Sequence, residues 1–279
     1  MFYHEYPPPP SLQPFIQCFW MLEHDYSQPF HNHEHLWADT HVECIFSFGE
    51  RYYQKTAARN HPLPENFIIG PLTKQLLLFS KGITGFIAVR FHPGGLAAFY
   101  PHNATDLVDN ILPIAKLLPP ETTTLATQLQ NQTREAKLQL LTSHFESICP
   151  ARPHPDLQKI LLLASTLKTH HGKDKIADLA TQFAINPRKL ERHFLQHIGL
   201  PAKLFARILR FNHARELIGQ NPDIPLAALA YETGYADQAH FSKNFRQLFD
   251  CSPAQFKARI KKFRADTNGL GHDVVFVQD

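Results

Sequence analysis

The pattern of apolar positions divides the chain into an N-terminal part with strand-like spacing and a C-terminal part with helical spacing. Before about residue 110, short runs of aromatic and aliphatic side chains lie between Gly, Pro and Asn, which is typical of β-strands. Successive short strands without helices between them favour a β-sandwich or barrel. The predicted strands are residues 15–22, 42–48, 67–69, 75–79 and 85–91.

Helical spacing replaces the strand pattern further along the chain. Residues 93–100, 114–118 and 122–148 predict helices beside the β-structure. Pro150, Pro153 and Pro155 then predict an extended linker, and apolar residues between 157 and 167 recur at helical intervals. A new, helical unit therefore begins after the prolines.

Two stretches of the helical part repeat each other. Leu179 returns 50 residues later as Leu229, and Phe194 returns 51 residues later as Phe245. Each copy predicts a short helix, a turn of three or four residues and a second helix with apolar residues four apart, which is the helix-turn-helix pattern. One long helix over residues 201–218 is predicted to join the copies.

The turn and cap residues of the two copies differ in an informative way. Gly234 suits the turn of the second copy, whereas the first copy has Ala184, so that turn must be different or more strained. Asn186 and Asp237 each precede a second helix, where their side chains can cap its N-terminus.

The second helix of each copy has a polar face once its buried positions are removed. Arg, Gln, Ser and Lys are side chains that contact base edges or phosphates. An ordinary solvated face is the alternative, but the matched basic residues Arg192 and Lys243 favour nucleic-acid binding. The exposed positions are Arg188, Lys189, Glu191, Arg192, Gln196, Gln238, Ala239, Ser242, Lys243 and Arg246.

Charge and aromatic content support the same division. Residues 1–155 carry 10 Lys and Arg against 13 Asp and Glu, whereas residues 156–279 carry 18 against 12. The first part also holds 20 of the 32 aromatic residues. The small overall charge of +3 therefore combines a slightly acidic, aromatic part with a basic part, as in a nucleic-acid binder joined to a second unit.

The helical part resembles the DNA-binding domain of the AraC/XylS transcription regulators. The motifs that carry the resemblance are residues 176–180, 190–194, 199–201, 210–215, 234–246 and 252–253. Cys251 departs from the family, which usually has Gly before this Ser-Pro pair. By position, the resemblance implies base reading by Arg188, Glu191, Arg192, Gln238, His240, Ser242 and Lys243, although periodicity places His240 beside the core.

The first part has a weaker resemblance to one branch of the same family. Residues 67–73 and 89–96 resemble the domain that precedes the AraC-type domain there, and 274–279 resembles that branch's ending. We expect an α+β protein with a small cupin-like β-barrel and flanking helices over residues 1–152. We expect an all-α DNA-binding domain at residues 153–265 and a tail at 266–279. The tail is expected to be disordered or to form an added strand or helix.

Two features of the first part are candidate ligand sites. His31, His33 and His35 alternate, as metal-binding histidines on one strand do, but a polar surface loop has the same pattern. Trp20, Trp37 and Phe48 are expected to line an apolar pocket or simply to fill the core. Arg90 is expected to join a salt bridge or buried polar network with a partner that the sequence does not identify.

The leading interpretation is a sequence-specific DNA-binding regulator, not an enzyme, that reads two successive major-groove segments of promoter DNA. A small-molecule effector or pairing of two chains through the first domain is expected to control it, with RNA polymerase as a further partner. No cofactor is expected. The alternatives are a metal-sensing regulator, a metal-dependent cupin enzyme fused to a DNA-binding domain, and a first domain that only dimerises.

A cytoplasmic location is also expected. No apolar run approaches the roughly 18–20 residues of a membrane-spanning helix, and no secretory signal is recognisable. Four widely spaced cysteines without a Cys-x-x-Cys motif fit a reducing compartment.

Overall fold

The N-terminal part of the chain is built from short antiparallel strands. The structure is a computed structural model that describes residues 2–27, 34–267 and 275–276. The strands are β1 (Phe2–Tyr6), β2 (Ile16–Asp25), β3 (Glu34–Leu36), β4 (Val42–Gly49), β5 (Tyr53–Lys55), β6 (Asn60–Pro62), β7 (Asn66–Ile69), β8 (Leu76–Phe79), β9 (Ile83–Phe91), β10 (Ile111–Pro113) and β11 (Val275–Phe276). All five predicted runs are strands.

The strands form two sheets. The larger sheet has the order β1-β2-β9-β4-β7-β10, and the smaller one has the order β11-β3-β8-β5-β6. All their pairings are antiparallel. The predicted small β-domain is thus confirmed, and it consists of two sheets that share a core. Because β11 pairs with β3, residues 275–276 of the tail form an added strand, which is one of the alternatives expected for it; residues 268–274 and 277–279 lie outside the described residues.

The larger sheet is covered on both faces. Along β2, Trp20 and Leu22 belong to the core between the two sheets, whereas Phe19 and Met21 belong to the core beneath the helices. Successive side chains of a strand point to opposite faces, so a strand covered twice is apolar throughout. This double burial explains the near-continuous apolar run at residues 15–22.

The helices cover this sheet and build the C-terminal part. They are α1 (Ile114–Leu117), α2 (Pro120–Leu129), α3 (Arg134–Ser147), α4 (Pro155–Thr169), α5 (Ile176–Gln182), α6 (Pro187–His197), α7 (Ala202–Gln220), α8 (Leu226–Glu232), α9 (Gln238–Phe249) and α10 (Pro253–Thr267). Gly95–Ala98 and Ala104–Leu107 are 3-10 helices.

The helix expected over residues 122–148 is two helices. Asn131 lies between them with a φ of 57°, a left-handed conformation that ends α2. Thr133 then caps α3, because its hydroxyl accepts a hydrogen bond from the amide of Ala136. Residues 130–135 are all polar, so the break coincides with an interruption of the apolar pattern.

The C-terminal helices contain the two predicted helix-turn-helix units. Helices α5 and α6 form the first unit, α8 and α9 form the second, and α7 is the predicted long connecting helix. Phe194, Phe211, Phe241 and Phe245 are completely buried in one shared core. Trp37 of the N-terminal part belongs to this core as well, so the β-rich and helical parts interlock.

Candidate nucleic-acid interface and interdomain cavity

Side-chain caps set the starting points of the two second helices. The side-chain oxygen of Asn186 accepts a hydrogen bond from the amide of Arg188 at 2.9 Å. The side-chain oxygen of Asp237 accepts a hydrogen bond from the amide of His240 at 2.7 Å. Both predicted caps are therefore present, and they satisfy amides that a helix N-terminus otherwise leaves unpaired.

The turns that precede these helices have the same backbone shape. Gly234 has a φ of 78°, and Ala184 has a φ of 46° at the equivalent place. The first turn is therefore not a different turn but a left-handed one that carries a Cβ atom. An L-residue in this conformation is strained by about 1 kcal/mol or more, so the first unit tolerates strain that the second avoids.

The predicted contact residues lie on the outer faces of α6 and α9. Six of them are exposed on helices whose opposite sides are buried: Arg188, Arg192, Gln196, Gln238, Lys243 and Arg246. His240 is exposed too, with its ring 5.3 Å from that of Tyr235. Ser242 is half-buried. The exposed side chains together offer several cations and amides to a partner.

Glu191 has a contact inside its own domain. Its side chain is half-buried, and Oε2 accepts a hydrogen bond of 3.4 Å from the amide of Ala202. Ala202 is the first residue of α7, where a carboxylate interacts favourably with the helix dipole. Nζ of Lys189 forms a salt bridge of 2.8 Å with Oδ1 of Asp156 on α4. These two side chains connect α6 to its neighbours.

A cavity of about 290 Å³ lies between the β-rich part and α7. Its wall in the β-rich part is strongly aromatic, and its opposite wall comes from Leu209, Asn212 and His213 of α7. Both predicted tryptophans line it, so the expected pocket exists and extends to the helical part. The aromatic lining residues are Trp20, Trp37, Tyr52, Phe67 and Phe86.

Phe48 is not among these lining residues. Its ring is half-buried and lies 4.6 Å beneath the ammonium of Lys137 on α3. The ring therefore contacts a helix on the outside of the larger sheet. The strand alternation accounts for this placement, because Phe48 and Trp20 belong to opposite faces of that sheet.

Paired charges line one side of the cavity. Nε of Arg90 lies 2.6 Å from a carboxylate oxygen of Glu43, and Nη1 lies 3.2 Å from Glu5. These acids are the partners that the sequence did not identify. Burial lowers the pKa of Arg90, but the Glu43 charge outweighs it and holds the guanidinium in its charged form.

A second charged group connects the cavity to the helical part. Nζ of Lys168, on α4, lies 2.6 Å from the amide oxygen of Gln17 and 3.2 Å from Nε2 of His41. The other nitrogen of His41 lies 2.9 Å from Asp39. Burial raises the pKa of Asp39, but the charge and hydrogen bond of His41 outweigh it, so the pKa is well below its usual range.

Glu34 is an acid deep in the aromatic wall. Its residue is 4% exposed, and its Oε1 accepts a hydrogen bond of 3.0 Å from the hydroxyl of Tyr52. The hydroxyl of Tyr52 in turn lies 3.2 Å from the hydroxyl of Tyr26. Burial, and to a smaller extent the charge of Glu43, raises the pKa of Glu34 to about 8.

The histidine cluster of the sequence is only partly described. His31 and His33 lie outside the described residues, and the ring of His35 stacks on Trp37. Within the described part, His171, His213 and Glu216 bring three potential ligand atoms within 4.8 Å of one another. The two imidazoles are stacked with centroids 3.8 Å apart, so their lone pairs run side by side and do not converge on one ion.

The β-rich part contacts the C-terminal end of each second helix. After α6, Gly199 has a φ of 87°, and a Cβ there would lie 2.4 Å from the carbonyl oxygen of Ala104. At the end of α9, the ring of Phe249 lies 5.3 Å from that of Trp37. Trp37 also lines the cavity, so one side chain connects the cavity with α9.

The sequence did not point to most residues around the cavity. Glu34 and Asp39 lie in one short segment, and only the tertiary fold brings Lys168 of α4 to the same cavity. A buried charge inside an apolar run would have been the available signal, and Arg90 was identified in that way.

Within the described residues, no helix has the length and apolarity required to cross a membrane.

Comparison with known proteins gives two family matches and several partial relatives. Residues 4–113 match a family described as a domain of unknown function, DUF6597, and residues 179–259 match the family described as a helix-turn-helix domain. The chain is 33% identical over 107 residues to the HTH-type transcriptional regulator GlxA of Rhizobium meliloti, covering 38% of this chain and 32% of that protein.

Two further proteins are similar to this chain, one in sequence and one in structure. The chain is 32% identical over 100 residues to the HTH-type transcriptional activator RhaS of Salmonella arizonae, covering 36% of each protein. A structure of ToxT from Vibrio cholerae is similar with a TM-score of 0.47 and 10% identity, covering 86% of this chain and 98% of that one. The chain thus spans about a third of the length of the curated relatives it matches.

Proposed function

We propose that this chain, which carries an AraC-type helix-turn-helix domain behind a domain of the DUF6597 family, is a sequence-specific DNA-binding transcriptional regulator. Its relatives are named as transcriptional regulators, and the proposal includes no catalytic step. Helices α6 and α9 enter two successive major-groove segments of promoter DNA. Their exposed side chains contact bases, and Lys and Arg neutralise phosphates.

The observation that carries this proposal is the paired exposure of the two second helices. Each helix is capped at its N-terminus, is buried on one side and presents basic and amide side chains on the other. Arg192 and Lys243 hold matching places on these outer faces. A solvated face needs no such repetition, whereas a protein that reads two grooves does.

Effector control belongs to the same proposal. The cavity is lined by both parts of the chain, and the β-rich part contacts the ends of α6 and α9 through Ala104 and Trp37. A ligand that fits only one arrangement of these parts shifts the population towards that arrangement. Its binding therefore changes how the two helices are presented to DNA.

The proposal also covers the division into two units, the pairing of chains and the cellular location. Residues 1–152 form the regulatory unit, in which two chains pair, and residues 153–265 form the DNA-binding unit. The assembled regulator acts in the cytoplasm and contacts RNA polymerase at the promoter. Analytical ultracentrifugation of the chain, with and without promoter DNA, measures its mass in solution and so tests whether two chains pair.

DNA binding is tested with an arginine removed from the predicted contact face. Duplexes selected by the unmodified protein from a random-sequence library serve as specific DNA, and unselected duplexes serve as non-specific DNA. Arg192→Ala should weaken specific binding by roughly 1–3 kcal/mol because a base contact is lost. Non-specific binding should weaken much less.

Arg59→Ala is the matched control, because Arg59 is also exposed but lies in the β-rich part. It removes the same charge and should leave both affinities nearly unchanged. An equal loss on selected and unselected DNA for Arg192→Ala would contradict its role in base reading.

A further inference from the structure

The interdomain cavity contains a buried acid, Glu34, for which the described residues provide no cationic partner. Glu43, a half-buried acid on the same wall, is neutralised by Arg90 at 2.6 Å. Within the described part of the chain, no Lys, Arg or His nitrogen forms a salt bridge with Glu34. Its hydrogen-bond partner there is the neutral hydroxyl of Tyr52.

The surroundings of Glu34 also disfavour a negatively charged occupant. The Tyr52 hydroxyl contacts it and lies in turn against the hydroxyl of Tyr26. Glu43 on β4 acts on it as a negative charge, and Leu78 lies opposite on β8. Arg90 is already neutralised by Glu43 and Glu5. Beside Glu34, the charge that a ligand can balance is therefore that of the ionised carboxylate, whereas Lys168 of the same cavity contacts Gln17 and His41.

The aromatic wall supplies the second requirement for a cationic ligand. Trp20, Tyr52 and Phe86 are buried rings at the same cavity, and the faces of such rings attract cations. Arg90 already lies over the ring of Trp20, 5.2 Å from its centroid. The volume of about 290 Å³ accommodates a small aromatic or branched amine.

From this geometry we propose that the cavity binds a monovalent organic cation, an ammonium carried on an apolar body, with the Glu34 carboxylate as its counter-charge. The inference rests on the proposed function only in naming this ligand as the effector. Aromatic rings surround the apolar body, and the ammonium lies towards Glu34. Trp37, which contacts the end of α9, transmits occupancy to the helical part.

Isothermal titration calorimetry of the full chain tests the ligand class. Benzyltrimethylammonium is the cationic probe, neopentylbenzene is its neutral isostere and 3-phenylpropanoate is the anionic probe. We expect the cation to bind about tenfold or more tightly than either of the others. The chain has two tryptophans and both line the cavity, so tryptophan fluorescence gives an independent readout.

The variant Glu34→Gln identifies the counter-charge. It keeps the size of the side chain and an oxygen for the Tyr52 hydroxyl, so the fold is retained, which circular dichroism checks. Its preference for the cation should disappear. Glu65→Gln removes an exposed acid from the same part of the chain and should leave that preference unchanged.

Proton release adds a signature that a merely structural Glu34 lacks. With a pKa of about 8, the carboxyl is mostly protonated at pH 7, and a bound cation favours the ionised form. Titrations at pH 7 in buffers of different ionisation enthalpy should therefore show release of nearly one proton by the unmodified chain and none by Glu34→Gln.

Equal affinity for the cation and its neutral isostere would overturn the proposal, as would undiminished cation binding by Glu34→Gln. These titrations contain no DNA. A chain that binds the cation but selects no DNA sequence would refute the proposed regulator and leave the cation site standing.

Discussion

Ala184 and Gly234 occupy the same place in the two turns and both have a positive φ. Glycine adopts this conformation without a steric penalty, whereas the Cβ of alanine crowds the following carbonyl oxygen. No neighbour blocks the position, because a Cβ at Gly234 would lie 3.4 Å from the side chain of Lys173. The energetic difference between the turns therefore comes from backbone strain.

This difference predicts opposite effects of two exchanges. Ala184→Gly should stabilise the chain by about 0.5–1 kcal/mol, since relief of strain exceeds the added entropy of the unfolded chain. Gly234→Ala should destabilise it by about 1 kcal/mol. Urea unfolding midpoints measure both, and a lower midpoint for Ala184→Gly would show that its left-handed turn is not strained.

The N-terminal caps matter at the scale of the element because they fix where a reading helix begins. Asp237 caps α9 through the amide of His240, directly beside the predicted contact residues. Thr133 caps α3 through the amide of Ala136, far along the chain in the β-rich part. Both caps satisfy one helix amide, but only one of these helices belongs to the proposed DNA surface.

The comparison of Asp237→Ala with Thr133→Ala separates stability from DNA binding. Each exchange should lower the free energy of unfolding by about 1 kcal/mol, because a capped amide loses its acceptor. Asp237→Ala should also weaken binding to selected DNA, since the first turn of α9 frays. Thr133→Ala should leave that affinity unchanged, and an equal loss in both variants would argue against α9 as a reading helix.

Elements with strong periodicity were predictable, and the cavity was not. Helices α6 and α9 could be predicted from apolar residues four apart and from the caps at Asn186 and Asp237, which are local features. Strands β5 and β6 have three residues each, which is too short for an apolar alternation to show, and β6 forms the edge of its sheet. Glu34 and Lys168 are 134 positions apart and meet only in the folded chain.

At the scale of the whole molecule, the β-rich part contacts the C-terminal ends of both reading helices. Gly199 permits the close approach of Ala104 to the end of α6, and Trp37 packs against Phe249 at the end of α9. A change in the cavity can therefore affect both helices through direct contacts. The acidic first part and the basic second part are physically joined at this interface.

A hydroxyl-radical footprint on selected duplex DNA shows whether one chain reads two successive groove segments. We expect two protected segments on one face of the duplex, separated by one helical turn, roughly 34 Å. In Arg192→Ala one segment should lose protection, and in Lys243→Ala the other. A single protected segment, or protection unchanged by both exchanges, would show that α6 and α9 do not read two groove segments.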